Sequence, residues 1–161
     1  KKKGLVNIIV TNQSGIERGY FSWEEYEKVT FKMLEIIDSP DVIDAIYACG
    51  SSPTSDILDW RKPNPNMLLE AKNRFHIQIE ESIMIGDRLS DLKAGLNSGV
   101  KIVVHVLTGK GKKEREEIIK FFNFPENSEH YKFPFKAKIN NKNQEVVLID
   151  NLLDFKVNYI N

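Results

Sequence analysis

The stretch Ser82-Ile83-Met84-Ile85-Gly86-Asp87-Arg88-Leu89-Ser90-Asp91 decides the fold. Its first half, Ser82 to Gly86, is short and apolar and reads as a buried strand. Its second half enters a helix: Leu89, Leu92 and Leu96 recur at helical spacing, and Gly99 is placed to stop it. Val100 to Leu107 follows as another strand. The same order recurs upstream. Leu5 to Val10 reads as a strand, and the capping box Ser22-Trp23-Glu24-Glu25 opens a helix with Tyr26, Val29, Met33 and Ile37 at helical spacing. Val42 to Cys49 is the next strand. Asn64-Pro65 then reads as a cap and a first helical position, before a face of Leu68, Ala71 and Phe75. Strands alternating with helices, most strands apolar on both faces, predict an α/β fold with a doubly wound, Rossmann-like, mostly parallel sheet.

Downstream, Lys112 to Phe122 reads as a helix with a highly charged face. Tyr131 to Ile139 alternates aromatic or apolar residues with Lys and Pro, the signature of an exposed edge strand. The turn Asn140 to Asn143 leads into Glu145 to Ile149, which predicts a hairpin. At the other end, Lys1-Lys2-Lys3-Gly4 reads either as a flexible basic terminus or as the last turn of a helix with its glycine stop.

A length of 161 residues suits one domain, 1–161, with a full core. With 41% hydrophobic and 29% charged residues the chain is far from the composition of disorder. Basic and acidic residues number 23 each, and this zero net charge argues against a general nucleic-acid or membrane binder. The single Cys49 excludes an internal disulfide framework and fits a reducing compartment. No apolar run approaches the roughly 20 residues that span a bilayer. A soluble, cytoplasmic monomer is the expectation.

Three polar groups stand at strand ends or helix starts, where ligands bind in open α/β sheets. Thr11-Asn12-Gln13-Ser14-Gly15 offers hydroxyls, amides and a permissive backbone, which suit a phosphate and equally suit an ordinary turn. Arg61-Lys62 pairs a planar fork with a point charge, although such pairs are commonly solvated surface. Asp87 and Asp91 set two carboxylates four residues apart, suited to Mg²⁺, while helix capping is the plainer explanation of Asp87.

Their order along the chain resembles motifs II, III and IV of the haloacid dehalogenase superfamily, over nearly the whole length. The stretches Val10 to Gly19, Arg61 to Leu68 and Gly86 to Asp91 are similar to its heptose-bisphosphate and histidinol-phosphate phosphatases. The resemblance implies a haloacid dehalogenase-type fold without a large cap domain, and a phosphatase of a small phosphosugar in lipopolysaccharide precursor synthesis. It implies that Thr11 stabilises the transferring phosphoryl group and that Asn12, Gln13 and Ser14 line the substrate site. Arg61 and Arg88 would reach the substrate, Lys62 would hold phosphoryl oxygens, Asp87 would bind Mg²⁺, and Asp91 would be a further metal-site residue, ligating or orienting from the outer shell. Histidinol phosphate, a polynucleotide 3′-phosphate and a non-catalytic phosphosugar-binding role are the alternatives.

Two departures from the family pattern matter. No Asp-x-Asp, the family's nucleophile and acid/base pair, occurs in the ten residues before Thr11, so a nucleophile strand is expected upstream, central in the sheet. Without it, the strands Leu5 to Val10 and Ser82 to Gly86 are expected to flank a gap and the chain to be inactive and unstable. The zinc loop of many heptose-bisphosphate phosphatases is also not matched. Cys49 holds the first ligand place, but Ser51, Leu58 and Trp60 fall where the others would be, so no zinc is predicted. His76, His105 and His130 stand isolated and read as structural or solvent-facing, and Gly109-Lys110-Gly111 does not fit a nucleotide-binding P-loop.

Overall fold

The computed structural model describes residues 4–37, 41–56, 59–124, 135–139 and 143–155. The chain divides into two units, Lys1–Ile77 and Gln78–Asn161. In the first, strands β1 (Ile8–Asn12) and β2 (Ala45–Cys49) pair in parallel, from Ile8 opposite Ala45 to Asn12 opposite Cys49. Helices α1 (Trp23–Ile37) and α2 (Asn66–Phe75) follow the two strands. The predicted capping box forms: Glu25 N donates to Ser22 Oγ at 3.2 Å, and Ser22 N donates to Glu25 Oε2 at 2.7 Å. Met67, Leu68 and Ala71 are the buried side of α2, whereas α1 leaves Val29, Phe31 and Ile36 exposed.

Several strands are shorter or shifted relative to the reading of the sequence, and two boundaries bear on the polar groups. β1 runs on to Asn12, so Thr11 and Asn12 belong to the strand and the turn begins after them. The reason is pairing: β2 continues opposite Thr11 and Asn12 as far as Cys49, whose carbonyl also takes Gln13 N at 2.7 Å. Pro65 occupies the N-cap and not the first helical position of α2. Its carbonyl accepts from Leu68 N and Leu69 N, while Asn64 N closes a turn onto the Arg61 carbonyl at 2.9 Å.

The second unit contains β3 (Ile83–Gly86), α3 (Leu89–Ser98), β4 (Ile102–His105), α4 (Gly111–Phe121), β5 (Phe135–Ile139) and β6 (Gln144–Leu148). The sheet order is β3-β4-β6-β5. β3, β4 and β6 are parallel, and β5 closes the edge antiparallel to β6, which is the predicted hairpin. Residues 131–134 of the expected strand and 140–142 of its turn lie outside the described residues. Every residue of β4 is buried, as expected of a parallel strand covered on both faces. Ile102, Val104, Val106, Val147 and Ile149 pack together with Ile83 and Phe155.

Alternate residues turn the other way, and α3 lies close to two of them. A Cβ at Gly95 would stand 2.8 Å from Val103 Cγ1 and 2.9 Å from Met84 Cβ. Gly99 ends α3 in the left-handed region at φ 94°, as predicted. Two effects oppose each other in Gly95→Ala. Helix propensity favours alanine by roughly 0.5–1 kcal/mol, and overpacking costs about 1–3 kcal/mol. The expected outcome is net destabilisation, read as a lower denaturant midpoint; a raised midpoint would show that α3 can move outward freely.

Candidate active site

The first cluster gathers at the carboxyl end of β1. The Asn12 side chain forms a two-point tie with the Lys62 main chain: Asn12 Nδ2 donates to Lys62 O and Lys62 N donates to Asn12 Oδ1, both at 3.0 Å. This fixes the Lys62 backbone fifty residues away in sequence. The Lys62 side chain, 8% exposed, returns to β1 and its ammonium donates to Val10 O at 2.6 Å. Arg61 Nη1 donates to Ser51 O at 2.7 Å, so the guanidinium is anchored on the loop after β2. Gln13 Nε2 donates to Thr11 Oγ1 at 2.9 Å, leaving the hydroxyl hydrogen to point elsewhere. Thr11, Asn12, Gln13, Arg61 and Lys62 are thus brought together through these contacts and the β1–β2 pairing. Ser14 stands in the turn beyond, its carbonyl accepting from Arg18 N at 3.3 Å. Beside Thr11 and Gln13 opens a groove of about 500 Å³, mostly apolar and lined also by Ile9, Phe21, Tyr26 and Met33.

Sequence reading missed Glu17. Its carboxylate accepts from the Ser52 main-chain N–H, and the Ser52 and Ser55 hydroxyls also bond to it. The Ser52 backbone bond above all holds this carboxyl below its ordinary value, with burial opposing.

The second cluster surrounds the end of β3. Asp87 Oδ2 accepts from Lys110 N at 2.6 Å. Gly109 makes this approach possible: it has φ 59°, and a Cβ there would meet Asp87 Oδ2 at 2.3 Å. Asp91, 5% exposed, turns back so that Oδ2 accepts from Arg88 N at 3.0 Å at the start of α3. Arg88 stands half-exposed with Nη1 3.7 Å from Glu114 Oε1, and the other Glu114 oxygen accepts from Leu89 N at 2.9 Å. Asp87, Arg88 and Asp91 are therefore one turn of chain held by α4 and by the segment before it.

His105 also belongs here. It is fully buried and not solvent-facing, and its Nε2 lies 3.3 Å from the Asp87 carbonyl oxygen. Burial, reinforced by the Arg115 charge, pushes its pKa down to about 4. Burial likewise lowers Arg115, against the opposing charge of Asp150. Glu17, His105, Glu114 and Arg115 carry no local signal, because each acts on a partner far away in sequence. His76 caps α2 in the left-handed region, and His130 lies outside the described residues.

The HAD-hydrolase-like family matches residues 59–126. The D-glycero-beta-D-manno-heptose-1,7-bisphosphate 7-phosphatase of Haemophilus influenzae is 43% identical over 68% of this chain and 63% of its own length. The D-glycero-alpha-D-manno-heptose-1,7-bisphosphate 7-phosphatase of Campylobacter jejuni is 40% identical over 74% of this chain and 67% of its own. Among solved structures, the D,D-heptose 1,7-bisphosphate phosphatase of B. bronchiseptica, complexed with magnesium and phosphate, superposes with a TM-score of 0.65 at 25% identity. That match covers 88% of this chain and 67% of the other. The chain spans about three fifths to two thirds of the length of these relatives.

Glu17 gives a pH test. Its lowered carboxyl contributes stability that is present above its unfolded value of 4.5 and lost as acid carries the pH down through the folded value. In the intact protein, Glu17→Gln is expected to remove that part of the acid dependence. Matching curves of denaturant midpoint against pH for wild type and E17Q would contradict it.

Proposed function

Because this chain belongs to the haloacid dehalogenase-like hydrolases, we propose that it serves a magnesium-dependent phosphatase acting on a sugar phosphate. The favoured substrate is D-glycero-D-manno-heptose 1,7-bisphosphate, losing its 7-phosphate in lipopolysaccharide precursor synthesis by a cytoplasmic monomer. Relatives of that name at 40% identity or more support the substrate class. Among the described residues no helix is long and apolar enough to cross a membrane.

One observation carries the reading. Asp87 stands at the carboxyl end of a parallel strand, one oxygen fixed by the Lys110 amide, within the segment matched by the family. Its chemistry fits magnesium, which takes one or two carboxylates and completes its shell with water and substrate phosphate. Among the described residues no group of three or more His, Cys, Asp or Glu could hold a metal ion. Asp87 is the proposed ligand, and Asp91 holds the turn behind it through Arg88 N. When bound, magnesium neutralises charge on the phosphoryl oxygens.

The remaining roles belong to side chains. Lys62, anchored on Val10 O, presents a fixed positive charge to phosphoryl oxygens. The Thr11 hydroxyl donates to the same group, since Gln13 occupies it as an acceptor. Asn12 acts through its tie to Lys62, and Gln13, Ser14, Arg61 and Arg88 contact the sugar phosphate. An aspartyl nucleophile is the family's chemistry; residues 1–10 contain no aspartate, so no nucleophilic step is assigned to them.

In the intact protein, Asp87→Asn is expected to lower Mg²⁺-dependent phosphate release from heptose bisphosphate by at least ~100-fold while preserving the thermal melt. Near-normal turnover in the folded variant would overturn the metal assignment. Faster release from histidinol phosphate or a 3′-phosphorylated oligonucleotide would overturn the substrate assignment instead.

No stoichiometric zinc is expected, since Cys49 to Trp60 offers one thiol and no histidine, against the four ligands of a structural site. Elemental analysis finding about one zinc per chain, held through dialysis, would contradict this.

A further inference from the structure

We propose that His105 and Arg115 are positioning residues that set the metal-binding turn at Asp87 through a directional hydrogen-bond relay. The inference rests on the magnesium reading and adds two residues to it.

The relay can be traced atom by atom. Arg115 Nε donates to His105 Nδ1 at 2.9 Å, and His105 Nε2 faces the Asp87 carbonyl oxygen at 3.3 Å. A guanidinium has only donors, so Nδ1 must be the imidazole's lone-pair nitrogen. The ring hydrogen of the neutral imidazole then lies on Nε2 and donates to Asp87 O. Arg115 is held in turn from the end of β6, where its Nη2 donates to Ile149 O at 2.6 Å. Donation therefore runs outward from Arg115, back to the end of β6 through Nη2 and forward through His105 to the Asp87 carbonyl.

Position and burial argue that this is more than filling. His105 sits opposite Gly86 in the β3–β4 register and is fully buried, and Arg115 is 9% exposed. Burying a guanidinium and an imidazole costs several kcal/mol relative to water, and an apolar pair of similar volume is often as stable. Stability alone therefore gives little reason for the pair. The same segment reaches the other end of Asp87, where Lys110 N binds its carboxylate. Backbone and side chain of one residue are thus fixed from residues 105–115. Gly111 belongs to the same design, since a Cβ there would stand 1.9 Å from Val106 O and 3.4 Å from His105 Nε2.

Two substitutions in the intact protein separate the two ring nitrogens. His105→Gln places an amide N–H near the Nε2 position and keeps a donor for Asp87 O, but withdraws the acceptor from Arg115. His105→Asn keeps an acceptor near Nδ1 and removes the donor. Mn²⁺ binding, read by electron paramagnetic resonance with inorganic phosphate present, should weaken ~10–100-fold in H105N and stay near wild type in H105Q. Thermal melts should not follow that order, because H105Q leaves Arg115 the poorer partner. Metal affinities that track the melts would overturn the positioning role while leaving the magnesium reading intact. Wild-type protein whose Mn²⁺ binding is absent, or unchanged by Asp87→Asn, would overturn the magnesium reading and this inference with it. Should both variants fail to fold, ¹⁵N spectra of wild-type histidine decide: hydrogen on Nε2, shifting when Mg²⁺ and phosphate are added, supports the relay. Hydrogen on Nδ1, or no shift, overturns it.

Discussion

Gly86 and Asp91 contend for one volume, and its allocation shapes the end of β3. A Cβ at Gly86 would lie 2.3 Å from Asp91 Cβ and 2.5 Å from its Oδ2. With no side chain there, the Asp91 carboxylate folds back over the strand end and accepts the Arg88 amide. It is 5% exposed and lies in the first turn of α3, where a negative charge is favourable. The carboxylate therefore starts α3 and fixes the turn that carries Asp87. Exchanging Gly86 for any larger residue would require that turn to be rebuilt.

The same economy of space continues along α3. Gly95 brings the helix against Met84 and Val103 on the two strands it connects, and Gly99 releases the chain into the approach to β4. Close approach at one face lets β4 be buried throughout, with β3 and β6 pairing on its two sides. A fully buried strand forces its polar residue, His105, to find partners inside the protein. It finds Arg115 on one side and the Asp87 carbonyl on the other. Packing at α3 and polar pairing at the strand end are two results of one sheet geometry.

What the sequence showed plainly was local. The Leu89, Leu92 and Leu96 spacing, the Gly99 stop and the Ser22–Glu25 capping box each rest on residues within a few positions, and each is found in the structure. The Gly86-to-Asp91 stretch was legible because a strand end and a helix start carry their own residue preferences. Boundaries were less legible: β1 extends to Asn12 because β2 is there to pair with it, and Pro65 caps α2 because Asn64 turns back onto Arg61. Least legible were long-range pairs. No rule of composition joins Asn12 to Lys62, Glu17 to Ser52 or Glu114 to Leu89, since topology alone brings them together. His105 read as an isolated histidine for the same reason.

Two buried cations, Lys62 and Arg115, show how topology places such residues. Lys62 and Arg115 each place a donor 2.6 Å from a main-chain carbonyl, Val10 O and Ile149 O. A carbonyl dipole accepting from a cation fixes the direction of that side chain. Lys62 is thereby held beside the strand that bears Thr11. Arg115 uses similar anchoring differently: its Nε donates to His105 Nδ1 and sets the tautomer of that ring. One anchored cation lies against β1 and the other against a buried histidine. Asn12 ties the Lys62 main chain to β1, whereas Arg115 stands beside the buried imidazole of His105.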